Sequence, residues 1–165
     1  MPIGRFYAGI AAVIRSLNTN QYLLLRRSEH KDYAPGAWEC VTGRVDQGEG
    51  FEDALHREVW EELGVRVQVE YILGTTHFHR GAPLPENELV GVIYLCTLSE
   101  PASIRISAEH SEYRWLSAQE AIALLSAADP TTQWAQRVIR RAESIHVMLP
   151  TELIRFQSES GFELG

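Results

Sequence analysis

Two apolar stretches separated by a polar break open the chain. Residues 6–14 are apolar and β-rich, and Ser16-Leu17-Asn18-Thr19-Asn20 interrupts them before residues 21–27 resume a strand pattern. The pair predicts a hairpin. Tyr33-Ala34-Pro35-Gly36 predicts a turn, and residues 38–41 a short strand running into Thr42-Gly43. Over residues 51–63 the pattern becomes helical: Leu55, Val59 and Leu63 share a stripe suited to packing on a sheet, and Gly64 supplies the stop. Two further strands are expected in residues 66–76 and 88–98. The connection between them, residues 79–87, holds Gly81, Pro83 and Pro85 and is a candidate substrate lid. Residues 112–116 predict a last short strand. Ser117 with Glu120 three positions on matches a capping box for a helix to about residue 125, and residues 132–145 predict another helix. The pattern fades after Pro150, which gives a single domain over residues 1–149 and a tail of uncertain order over 150–165. Strands interleaved with a few helices predict an α/β fold with a mixed sheet.

Composition narrows the picture. The chain has 165 residues, 45% apolar and 22% charged, as expected of one globular domain. A net charge of −7 argues against a general nucleic-acid surface, although an acidic protein binds phosphates where metal ions supply local positive charge. Cys40 and Cys96 form no C-x-x-C pair and read as reduced, semi-buried thiols. No apolar run reaches membrane-span length, and residues 1–7 lack the apolar core of a signal peptide, so a cytoplasmic protein without a membrane partner is expected.

The informative chemistry lies on the helix. At about 100° per residue, Glu61 and Glu62 fall roughly 60° and 40° to either side of Glu58, so the three carboxylates share one arc. Like charges at i,i+4 destabilise a bare helix by about a few tenths of a kcal/mol. A cluster of hard oxygen donors becomes favourable when Mg²⁺ or Mn²⁺ neutralises it. On this reading Glu62 is solvent-facing, so Glu62→Gln is expected to abolish turnover and leave the fold largely intact.

Gly43, Glu49, Arg57, Glu58, Val59, Glu61, Glu62, Gly64 and Val65 fill every specified place of the Nudix signature, with the Gly, Glu and Arg-Glu elements at their required spacings. With each residue type used at roughly 6%, its seven fixed positions coincide by chance on the order of 10⁻⁹ per window. The chain therefore resembles the Nudix hydrolase superfamily. That resemblance implies an α/β/α sandwich with a mixed sheet and a loop–helix–loop motif. It also implies metal-dependent hydrolysis of a diphosphate bond in a nucleotide-like small molecule. Glu58, Glu61 and Glu62 would be metal ligands, Glu58 would also orient or deprotonate water, and the Thr42 backbone carbonyl would add a ligand. Glu49 and Arg57 would pin the loop to the helix, with Arg57 acting beside the catalytic carboxylates. Gly43 and Gly64 would be structural.

Trp38-Glu39-Cys40-Val41-Thr42-Gly43, and Glu109-His110 followed by Tyr113-Arg114-Trp115-Leu116, are similar to segments of the bacterial dihydroneopterin triphosphate pyrophosphatase branch. That match nominates Glu109 as an extra ligand or base, with Glu112, Glu86 and Glu88 as competitors. One of Arg26 and Arg27 is expected to face a substrate phosphate. His77 and His79 alternate along a strand and therefore point to the same side, toward either a base or a phosphate, or into ordinary structure. Trp38, Phe78 and Tyr94 are stacking candidates or core residues. A non-catalytic ligand-sensing module and an isopentenyl-diphosphate isomerase on the same fold are the alternatives; the latter requires an active-site cysteine. Monomer and homodimer are both open.

Overall fold

In a computed structural model that describes residues 4–165, the alternating strand pattern becomes the two faces of one sheet. Residues 1–3, which belong to the expected domain and to the stretch read for a signal peptide, lie outside the described residues. Strands β1 (Tyr7–Ser16), β2 (Tyr22–Arg27), β3 (Trp38–Glu39), β4 (Val41–Arg44), β5 (Gln68–His79), β6 (Glu88–Leu98) and β7 (His110–Leu116) form a sheet ordered β3-β2-β1-β6-β5. In addition, β4 pairs with β1 and β7 with β2. β1 and β6 run parallel from Tyr7↔Leu89 to Ser16↔Leu98, and the other pairings are antiparallel, so the sheet is mixed.

Successive strand residues point to opposite faces, and the core divides accordingly. Ile10, Ala12, Ile14, Leu23 and Leu25 pack with Ala54, Leu55, Val59 and Leu63 of helix α1 (Phe51–Leu63). On the other face, Ala11, Val13, Tyr22 and Leu24 pack with helices α2 (Ala118–Leu124) and α3 (Pro130–His146) through Ala121, Ala135, Val138 and Ile139. Helices on both faces of the sheet make the expected α/β/α sandwich.

The predicted hairpin survives only at its closed end, where Arg15 faces Tyr22. Beyond it β1 turns to β4 and β6 while β2 turns to β7 and β3, leaving an opening between the two strands. The strand expected over residues 38–41 divides into β3 and β4 across that opening, so it joins both sides. β5 extends to His79, which takes the start of the expected loop into the sheet. Ser117 caps α2 through the predicted capping box, and Asp129 caps α3 through the Thr132 amide. The segment after Pro150, for which the sequence pattern gives no element, is helix α4 (Thr151–Ser160), bonded to β5 through Gln68 and Ser158. None of its residues is fully buried, and its N-cap position, Pro150, supplies no capping side chain.

Candidate active site

The opening between β1 and β2 leads to a cleft of about 490 Å³ lined by Glu39, Thr42, Gly43, Glu58 and Glu109 together with Arg27. Its opposite wall carries Thr76, His77, Phe78, His79 and Arg80 from the end of β5, and Trp134 and Arg137 from α3.

α1 reaches the cleft because β4 has no side chain at Gly43. A Cβ there would fall inside the Glu58 carboxyl group. Helix α1 then ends where predicted: Gly64 adopts φ 66°, ψ 21°, and its amide donates to the Trp60 carbonyl. Arg57 organises the loop before the helix. Its Nε and Nη2 donate to the two Glu49 oxygens at 2.8 and 2.9 Å, Nη2 donates to the Arg44 carbonyl at 2.8 Å, and Nη1 donates to Glu58 at 2.9 Å and Glu61 at 3.3 Å. This forked contact holds the Glu49 carboxyl down at about 2. The structure thus brings Glu49, Arg57, Glu58 and Glu61 together.

Glu62 departs from expectation. It is only 5% exposed, not solvent-facing. The segment before β7 returns along the end of α1, with the Ser107 amide donating to the Glu62 carbonyl at 2.8 Å and the Arg105 amide to the Leu63 carbonyl at 2.9 Å. That path covers the side chain with His110. Burial first, and then repulsion from Glu39, Glu58 and Glu109, pushes the Glu62 carboxyl up to about 9. Burial raises Glu58 as well.

Three functional candidates escaped the sequence analysis. Glu39 accepts from Arg27 Nη1 at 2.7 Å, and its Oε1 lies 3.1 Å from His110 Nε2. His110 Nδ1 in turn faces Glu62 Oε2 across 3.9 Å, and both of those buried atoms lack a hydrogen-bond partner. Glu39 and His110 stand inside the segments that carry the resemblance, but isolated buried polar residues produce no periodic signal. Lys31 also went unnoticed. It bonds the Glu109 carboxylate and holds it below the usual carboxylate range, while the Glu109 carbonyl accepts from the Ser28 amide at 2.9 Å.

The remaining candidates separate cleanly. Of the two arginines Arg27 lines the cleft, whereas Arg26 bonds the Gly36 carbonyl and Glu29. His77 and His79 both line it, as their alternation predicts, with His77 bonded to Glu88 at 2.8 Å. Trp38 lies instead in an adjoining hollow with Tyr33 and Pro130, under the Arg114 guanidinium. Tyr94 is core, and Glu112 bonds Arg114 away from the cleft. Glu86 sits in an exposed turn at residues 85–87.

The family model described as NUDIX domain matches residues 7–142. The chain belongs to the Nudix family. A 46-residue stretch is 50% identical to the NAD-capped RNA hydrolase NudC of Chromobacterium violaceum, covering 28% of this chain and only 17% of that protein's length. The nucleoside triphosphatase NudI of Escherichia fergusonii is 29% identical over 110 residues, 62% of this chain and 77% of that protein. Among solved structures, the E. coli dihydroneopterin triphosphate pyrophosphohydrolase superposes with a TM-score of 0.64 at 25% identity, covering 83% of this chain and 96% of that one. The expectation of an enzyme of the Nudix pyrophosphohydrolase class stands with these matches.

Nudix hydrolases generally use a divalent metal, and the cleft's donor chemistry fits one. Glu62 Oε2 is buried without a partner among three other carboxylates, an arrangement that a cation would relieve. In this structure Arg57 draws Glu58 and Glu61 to itself, and among the described residues no three His, Cys, Asp or Glu side chains converge as a ready-made ligand set.

Proposed function

We propose that this Nudix protein is a divalent-metal-dependent hydrolase of a diphosphate bond, with water attacking phosphorus. The substrate is a nucleoside or pterin triphosphate, or a nucleoside diphosphate linked to another group. The observation that carries this reading is the buried, unpartnered Glu62 oxygen beside Glu39, Glu58 and Glu109, three carboxylates that line the cleft. A phosphate brought against those carboxylates would be repelled unless a cation came with it, while Arg27, Arg80 and Arg137 offer positive charge elsewhere in the cleft.

Glu58, Glu61 and Glu62, the Thr42 carbonyl and Glu109 would hold Mg²⁺ or Mn²⁺. When bound, the ion screens phosphate charge and makes water more acidic. The chain's own residues supply the rest. Arg57 stands between Glu49 and the helix carboxylates and sets where Glu58 and Glu61 point. Glu58, largely withdrawn from solvent with its carboxyl raised, would orient or deprotonate the attacking water. Glu39 braces Arg27 at the cleft wall, where the guanidinium would meet the phosphate chain. His77 and His79 face the same space from the opposite wall.

The names of the relatives favour a triphosphate: one acts as a nucleoside triphosphatase and one structural neighbour on dihydroneopterin triphosphate. The isomerase alternative needs a reactive thiol, yet Cys40 and Cys96 are buried in the core and burial pushes both thiols up. A cytoplasmic small-molecule enzyme is part of this proposal; no helix among the described residues is long and apolar enough to cross a membrane. The test is release of phosphate and pyrophosphate with and without Mg²⁺. The panel would span nucleoside triphosphates, dihydroneopterin triphosphate, ADP-ribose, nucleotide sugars and dinucleoside polyphosphates. Strong Mg²⁺-dependent turnover of one class is expected. Metal binding with no turnover of any class would favour a ligand-sensing role.

A further inference from the structure

Two glycines frame a contact that ties the C-terminal segment to the carboxylate-bearing helix. At the N-cap of α1 stands Gly50, which offers no side chain to the free amides of the first turn. Glu163 does so from 112 residues away, accepting from the Phe51 amide at 2.8 Å. The contact is reciprocal, because one Glu52 oxygen accepts from the Phe162 amide at 2.7 Å and the Glu163 amide at 3.1 Å. Phe162 packs on the same core face as α1, its ring edge-on to Tyr94 at 5.9 Å between centroids.

Both glycines are required by this arrangement. A Cβ on Gly50 would fall on the Glu163 carboxylate. Gly161, where the chain leaves α4, has φ 72° and ψ −179°, a region that residues with a Cβ essentially do not enter. The Glu163 carboxylate also faces the positive end of the helix dipole. Residues 161–163 lie beyond residue 142, where the match to the family ends.

We propose that residues 161–163 are a strap that positions the carboxylate-bearing helix, with the Glu163 carboxylate capping its first turn and Phe162 as its anchor. The connection to the site is short. Gly50 follows Glu49, Glu49 grips Arg57 with both oxygens, and Arg57 holds Glu58 and Glu61. Fraying of the first turn lets Glu49 withdraw from Arg57 and frees the two carboxylates. Glu163 is a positioning residue, since it reaches the site only through these others. The inference rests on the reading of Glu58, Glu61 and Glu62 as metal carboxylates.

The experiment compares the full chain with Glu163→Ala, Glu163→Gln and, as a control, Glu58→Gln. Hydrogen exchange at the Phe51 amide, Mn²⁺ affinity by spin resonance and kcat are measured on each. In Glu163→Ala, Phe51 exchange is expected to speed by about fivefold or more, the size of a lost cap. Mn²⁺ affinity should fall about tenfold, as when an outer-shell partner is lost, with kcat falling alongside. Glu163→Gln keeps an acceptor oxygen and should recover all three. Faster exchange in Glu163→Ala with unchanged Mn²⁺ affinity and kcat would show a purely structural cap and overturn the proposal. Unchanged Mn²⁺ affinity in Glu58→Gln would overturn the underlying metal reading. That result is distinguishable, because kcat and Phe51 exchange in the Glu163 variants still report on the strap.

Discussion

Glu62 is the residue at which burial and charge conflict most. Its carboxyl is pushed up to about 9, whereas in an unfolded chain it titrates near ~4.3. Between those values the folded protein holds a proton that the unfolded chain has given up. The stability that this proton contributes to the metal-free protein is therefore fully present below about pH 4.3 and is lost as pH rises toward about 9. Melting temperature measured without metal should fall from pH 6 to pH 9. Glu62→Gln should flatten that fall, though not remove it, because burial raises Glu58 too. An equally steep fall in the variant would show that Glu62 is ionised throughout. The opposing residue, Gly43, gives a second expectation. A Cβ there displaces the Glu58 carboxyl, and a displacement of about 1 Å can cost about 100-fold in rate. Gly43→Ala should lower kcat by about that factor while remaining folded; wild-type kcat would mean that Glu58 does not work against β4.

Helix α1 was legible to the residue, since its apolar stripe, its arc of glutamates and its terminal glycine each carry a local signal. Leu55 is completely buried in the core face beneath it, so Leu55→Ala should destabilise the fold by about 2–5 kcal/mol in denaturant unfolding. A change below about 1 kcal/mol would be inconsistent with that packing. β6 was equally clear, but the hairpin of β1 and β2 was legible only at its turn. Strand content is written in local sequence, whereas the departure of β1 to β4 and β6 depends on residues far along the chain. Helix α4 was missed for the opposite reason: it lies on the surface, with no capping side chain and no buried stripe.

At the scale of the whole molecule, the sheet's opening gathers a site from segments that no local pattern connects. The signature gave the metal-ligand candidates and the Glu49–Arg57 clamp. The resemblance beyond it pointed to Glu109, which does line the cleft. Glu39, His110 and Lys31 became visible only when β2, β3 and the segment before β7 were folded together. The acidic charge also takes on a location, since Glu39, Glu58 and Glu109 all act on the buried Glu62 carboxyl. On the proposed reading this cleft hydrolyses a diphosphate bond with a divalent ion. The most direct test is turnover in ¹⁸O-labelled water, with mass analysis of the phosphate products at millimolar Mg²⁺ and after chelation. One labelled oxygen in one product phosphate is expected, with loss of turnover on chelation that Mg²⁺ restores. Turnover that persists unchanged in chelator, or products without label, would contradict it.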